Sequence, residues 1–244
     1  MRLYADAHCH LHEYSLEEAG RLAEGHYIAA VSEDYETSLR TLEMARLGGV
    51  WPCVGLHPWE VGRLADPLGE AERVAALAGE ASCIGEVGLD RRFVPQSYGE
   101  QLPVFRVMVE AAVEMGLPLN LHSPGAWREV YTVLREYGVE KAVFHWYTGP
   151  LDLLREIVGE GYYVSVNAAA VIQEKMRRVA REAPLESIVV ESDGPYSYRG
   201  LSLAPPMVRE AVKVVAREKG LDVEEVRAAV LENTFRLYGR PKPA

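Results

Sequence analysis

Basic residues are in short supply in this chain, with 26 Lys and Arg set against 36 Asp and Glu for a net charge of -10. No overall positive field gathers nucleic acid around such a protein, which argues against a tight, non-catalytic binder of DNA or RNA. An enzyme acting on phosphate esters stays open, because bound divalent cations reverse the charge inside a site. There are only three cysteines, Cys9, Cys53 and Cys83, and no CxxC spacing. Neither a zinc ribbon nor a disulfide framework is therefore expected, and the three are read as small core residues of a reducing compartment. No run of about 18 apolar residues suggests a membrane span, and the start, MRLYADAHCH, lacks the apolar stretch of a signal peptide. A cytoplasmic location is expected, and no obligate protein partner is indicated. Neither GxGxxG nor GxxxxGK[ST] occurs, so no dinucleotide fold or P-loop is expected. Three Asn and three Gln beside 21 Arg lean towards the composition of heat-adapted proteins.

What is present is a βα alternation. Short β-rich runs predict eight strands at 3–7, 27–31, 50–56, 83–87, 118–122, 142–145, 163–166 and 188–191. Stretches of 3.6-residue periodicity predict helices at 16–24, 36–47, 69–78, 98–114, 126–137, 151–160 and 173–182, with two more near 206–219 and 223–237. The 244 residues are close to the roughly 250 usual for a (β/α)8 TIM barrel, so one α/β barrel domain over 1–244 is expected. An open doubly wound sheet shares much of this pattern. Disorder is expected only in the last residues, RPKPA.

Ionisable residues cluster where those strands end. His8 and His10 in ADAHCHLH lie two apart on a strand, on one face, with Cys9 on the other. Glu86 closes IGEVGLD, His122 closes LPLNLHS, His145 follows KAVF and Asp193 follows IVVES. In a parallel barrel such positions meet at the C-terminal face, where active sites form. Imidazoles and carboxylates there suit one or two divalent cations. Glu86 is expected to bridge two cations about 3.5 to 4 Å apart, and its flanking glycines to keep the backbone slim where a ligand approaches. Asp193 is the candidate general base for a cation-bound water whose pKa falls to about 7. The competing readings are an inward Arg paired with Glu86 and a turn-capping role for Asp193.

These segments resemble the TatD family of metal-dependent deoxyribonucleases, from DAHCHLH at 6–12 through GLHPWE, IGEVGLD, LHS, HWYTG and ESDGPY to NTFRLYG at 233–239. The resemblance implies one cation among His8, His10, Glu86 and Asp193, and another among Glu86, His122 and His145. It also implies phosphodiester hydrolysis, with DNA as substrate, often from a 3′ end, and Zn2+, Mg2+ or Mn2+ as the working ion. Three positions depart from the family pattern. Trp59 stands where a second His of an HPH motif is common, Pro124 where Arg is common, and Gly194 where a hydroxyl residue follows the Asp. The alternatives are hydrolysis of a small phosphodiester, ester, lactone or amide, and a non-catalytic barrel.

Substrate contacts are expected from His57, Arg91, Trp59, Trp146 and Tyr196, all within a few residues of the strand ends. Guanidinium groups pair with phosphate in a bidentate way, and aromatic faces stack on bases. For His57 a structural bond at the turn before Pro58 is the other reading. For one of Arg91 and Arg92 it is a solvated surface pair, and for the aromatics a cap on the barrel mouth.

Overall fold

The computed structural model describes residues 4–241, so the expected strand start at Leu3 and residues 242–244 of the expected disordered tail lie outside it. Eight strands form one parallel sheet in sequential order: β1 (Tyr4–Cys9), β2 (His26–Ala30), β3 (Val50–Val54), β4 (Cys83–Gly88), β5 (Leu119–His122), β6 (Ala142–Phe144), β7 (Tyr163–Asn167) and β8 (Ile188–Glu191). The ring is drawn together just past β8. There the Asp193 amide donates to the His8 carbonyl at 3.0 Å and the His10 amide to the Gly194 carbonyl at 2.8 Å. The outer layer comprises α1 (Leu16–Gly25), α2 (Tyr35–Met44), α3 (Pro58–Val61), α4 (Pro67–Ala75), α5 (Tyr98–Met115), α6 (Trp127–Tyr137), α7 (Leu151–Gly159) and α8 (Glu174–Glu182). A hairpin of β9 (Tyr196–Tyr198) and β10 (Leu201–Leu203) follows β8, then α9 (Val208–Lys219) and α10 (Val223–Tyr238). Among the described residues no helix is long and apolar enough to cross a membrane.

Period-two alternation divides the strand side chains between two cores. Ile84, Leu119, Leu121, Val164, Val166 and Val190 pack outward under the helices. Ala29, Val31, Trp51, Cys53, Cys83, Val143 and Val189 form a second cluster with Leu237 and Tyr238 of α10, which fills the ring from its lower end. Register breaks between Asp6 and Cys9 in β1, and between Ile84 and Val87 in β4. Ala7 therefore joins the inner cluster and Cys9 an outer one although they are two residues apart. Such irregularities re-aim side chains, and these two lie at His8 and Glu86.

Two expectations change. Cys53 and Cys83 form a disulfide, not two separate thiols. The β3–β4 register sets them opposite each other with Cα atoms 4.5 Å apart, within bridging range, a relation that spacing along the chain does not reveal. The glycines around Glu86 accommodate neighbouring backbone, not a ligand. A Cβ on Gly85 would lie 2.6 Å from that of Asn120, and one on Gly88, at φ 148°, would collide with the His122 carbonyl. Both keep β4 and β5 close enough to bring Glu86 up to His122.

The NTFRLYG segment proves to be a clamp. Asn233 donates to the carbonyls of Leu185 and Ile188, each at 2.8 Å, tying α10 to the entry of β8. Removing that amide would strand two carbonyls at a cost of roughly 1 to 3 kcal/mol.

Candidate metal centre

Each ionisable residue expected at the site arrives on the rim: His8 inside β1, Glu86 inside β4, His122 at the end of β5, and His10, His145 and Asp193 just beyond β1, β6 and β8. Asp193 takes φ 60°, a left-handed backbone that turns its carboxylate back over the ring. Oxygens and nitrogens meet there in two groups, one on each oxygen of Glu86.

Around Oε2 five donor–donor separations fall at 3.3 to 3.4 Å, as five edges of a regular tetrahedron would. His8 Nε2 lies 3.3 Å from Glu86 Oε2 and from Asp193 Oδ1. His10 Nε2 lies 3.4 Å from the same two oxygens and from His8 Nε2. The centre of a tetrahedron with that edge is about 2.1 Å from each corner, which is the length of a Zn–N or Zn–O bond. Donor atoms at this spacing fit a cation, and His8, His10 and Asp193 offer theirs within one group.

Around Oε1 the set is looser. His122 Nδ1 is 2.7 Å away, His57 Nε2 3.4 Å and His145 Nε2 3.6 Å. The shortest of these is a hydrogen-bond distance, and His122 has a carboxylate on its other nitrogen too, Asp90 Oδ2 at 2.8 Å. Burial alone would lower its pKa, but the Glu86 charge and the bonds to Asp90 and Glu86 push it up to about 9. A cation can join His122 here by displacing the proton on Nδ1. Burial would raise Glu86 and Asp193. The surrounding imidazoles, His57, His8, His145 and His122, instead hold Glu86 well below the usual carboxylate range, and hydrogen bonds to His10 and His8 hold Asp193 below it.

Outer partners fix the imidazoles, and sequence reading missed them. Asn120 Oδ1 accepts from His8 Nδ1 at 2.8 Å, so in the neutral imidazole the lone pair of His8 is on Nε2, facing Glu86 and Asp193. Asn120 is itself held by Tyr238 of α10 and the Ala7 carbonyl. Glu191 Oε1 accepts from His145 Nδ1 at 3.0 Å and from the Trp146 amide at 2.9 Å. Acceptors behind metal-facing imidazoles set tautomer and ring orientation. The signal available was an Asn or Glu interrupting an apolar strand, as in LPLNLH and IVVES.

His57 behaves differently. Its Nδ1 accepts the Trp59 amide at 3.2 Å, so in the neutral imidazole the proton sits on Nε2, aimed at Glu86 and His122. Burial lowers its pKa, towards the neutral imidazole. It is thus a donor into the site. Trp59 donates its indole N–H to Asp90 Oδ2 at 2.6 Å, the same oxygen that holds His122. The cavity above, about 380 Å³, is lined by His57, Trp59, Trp146 and Tyr196, four of the residues expected to contact substrate, and also by Phe93, Trp127 and Tyr198. Arg91, expected to reach a phosphate, turns away instead: its guanidinium pairs with Glu129 at 2.5 Å and lies over the Tyr98 ring. Among the described residues Arg92 is the single Arg or Lys on the lining. Pro124 lines the cavity too, whereas Gly194 is packed so closely that an added Cβ would lie 2.7 Å from Ala204 Cα. No hydroxyl side chain fits there.

The turn bearing Asp193 is held from below by Asp6. Its Oδ2 lies 2.5 Å from Ser192 Oγ and its Oδ1 accepts the Ser192 amide at 2.9 Å. Burial raises the Asp6 carboxyl to about 7 despite those bonds. The folded state then keeps a proton that the unfolded chain releases near pH 4, so this stabilisation is complete below about pH 4 and is lost as pH rises through about 7. Asp6→Asn mimics the protonated acid, donating to Ser192 Oγ. Thermal melts of metal-free protein are expected to show a flatter pH dependence over that window in the variant. A slope equal to that of the wild type would contradict the assignment.

The sequence profile of the family described as TatD related DNase matches residues 5–239. The TATDN3 protein of Mus musculus is 32% identical over 263 residues, covering 96% of this chain and 87% of the relative. An uncharacterized metal-dependent hydrolase of Methanocaldococcus jannaschii is 26% identical, covering 97% of each. In fold, the crystal structure of the TatD homologue YJJV of Escherichia coli superposes with a TM-score of 0.86 at 24% identity, over 98% of this chain and 99% of that one. With its barrel and its ring of buried imidazoles and carboxylates, the chain belongs to the TatD-related DNase family of metal-dependent hydrolases.

Proposed function

We propose that this hydrolase is a deoxyribonuclease that removes nucleotides from a DNA 3′ end, with two divalent cations sharing Glu86. His8, His10, Glu86 and Asp193 hold one, and Glu86, His122 and His145 the other. The observation that carries this reading is the division of the Glu86 carboxylate, Oε2 to one group of donors and Oε1 to the other. Bound cations supply Lewis acidity at a phosphate and acidify the attacking water. Asp193, ionised by its surroundings, takes the proton of that water. The Nε2 proton of His57 hydrogen-bonds a phosphate oxygen, and Arg92 pairs with it from the rim. The aromatic lining, with Trp59 and Phe93 on one part and Trp146 and Tyr196 on another, stacks on the terminal bases. Donors made of imidazole and carboxylate favour Zn2+ or Mn2+ over Mg2+.

The test is nucleotide release from an end-labelled single-stranded oligomer by metal-reconstituted protein, with a chelated sample beside it. Stepwise 3′ shortening that stops on chelation is expected. The second reading, a small phosphodiester, ester, lactone or amide, is favoured by Arg92 being the single Arg or Lys on the cavity lining among the described residues. Intact oligomer with every ion, alongside cleavage of a small chromogenic ester, would replace the first reading by that one.

A further inference from the structure

Beside the Glu86 groups, on the rim past β1 and β2, lies a second set of ligand atoms, from His10, His12, Glu13 and Glu33, all within 4.8 Å of one another. Within it His12 is the informative member. Its side chain is buried, with the residue 4% exposed, and Nδ1 lies 3.0 Å from the Val31 carbonyl. A carbonyl only accepts, so the proton of neutral His12 is on Nδ1 and the lone pair is on Nε2. That lone pair faces Glu33 Oε2 at 3.8 Å.

Two acceptors that face each other need a positive charge between them. The gap is too long for a shared proton, since hydrogen bonds of this kind span about 2.7 to 3.2 Å. It suits a metal ion. Two donors each about 2.1 Å from one ion stand about 3.4 Å apart at the tetrahedral angle and about 4.2 Å apart when opposite. Glu33 is fixed for the task, its amide donating to Thr37 Oγ1 at 2.9 Å and its carbonyl accepting the His57 amide at 2.8 Å. Glu13 follows His12 in the 3-10 turn after β1, and both glutamates line the cavity. His10 is left out of the ligand set. Its Nε2 lone pair points into the tetrahedron, so its Nδ1 carries the proton and faces Glu33 Oε1 at 3.5 Å.

We propose that His12 Nε2, Glu33 and Glu13 form a third divalent-cation site, open on the cavity side, which holds a substrate phosphate next to the one being cleaved. The phosphate role rests on the phosphodiesterase reading above, whereas the ion site stands on its own ligands. One imidazole and two carboxylates suit Mn2+ or Zn2+.

The experiment is crystallisation of the full chain with Mn2+, as wild type and as Glu33→Gln, with anomalous maps at the manganese edge and metal counts by mass spectrometry on dialysed protein. Glu33 is partly exposed, so its amide variant leaves the packing intact. Three peaks in the wild type are expected, with the one at His12 absent from Glu33→Gln and the two at Glu86 kept. Peaks only at Glu86 in the wild type would overturn the third site, make His12 and Glu33 a plain ion pair, and leave the two-cation reading standing. A third peak that persists in Glu33→Gln would overturn the ligand set. No peaks in either protein would overturn both readings.

Discussion

Glu86→Gln is expected to reduce turnover on the order of 1000-fold or more and to remove metal from both sides of the site at once. The reason is the way the carboxylate is shared. Oε2 faces His8 and His10, Oε1 faces His122, His57 and His145, and the residue is 1% exposed. A glutamine has the same shape but loses the charge and turns one ligand oxygen into an N–H donor. That donor points at imidazole lone pairs that a cation requires. The change also removes the charge that raises His8 and His122, so the metal-free variant is expected to hold fewer protons and to fold. Metal counting and steady-state rates check it together. Two ions per chain with a tenth or more of wild-type turnover would mean that the two groups do not depend on a shared bridge.

The fold was legible because β/α alternation is a local property. All eight barrel strands were expected within a few residues of where they lie, and the site residues lie at the C-terminal ends of those strands, which follows from parallel topology alone. What escaped was set by neighbours in space. The β9–β10 hairpin is six strand residues split by a two-residue turn, and its apolar content is too short to show periodicity. Cys53 and Cys83 are 30 positions apart and meet only through strand register. Asp90, the last residue of IGEVGLD, accepts from His122, Trp59, Arg92 and Phe93 at once.

Scarcity was itself a signal. The chain has three Asn, and all three are buried at structural or outer-site tasks: Asn120 behind His8, Asn167 against the Ser192 carbonyl and Asn233 beneath β8. A chain that avoids amides keeps them where a neutral side chain must both donate and accept. Trp59 illustrates the reverse. It was expected to meet substrate, and it does line the cavity, but its indole N–H also braces Asp90. An indole there keeps an N–H donor at a position where the family commonly has an imidazole, so the departure preserves a bond to the carboxylate that orients His122.

Asp193→Asn is expected to lower kcat by about 10² to 10⁴-fold, the range of positioned acid–base catalysis, while leaving the fold and much of the metal in place. Asn retains an oxygen where Asp193 Oδ1 faces His8 and His10, so it can still ligate. It cannot accept a proton at neutral pH. The backbone argues for Asn as the diagnostic change, because φ is 60° here and Asn tolerates the left-handed region better than most residues. Asp193→Ala would add roughly 1 to 2 kcal/mol of backbone strain and confuse folding with chemistry. Rates at saturating Mn2+, taken with metal counts, separate the two roles. A variant with full metal content and depressed kcat identifies Asp193 as the proton acceptor. One whose rate recovers fully once metal is saturating would restrict Asp193 to ligation and move the search for the base to another group on the cavity wall.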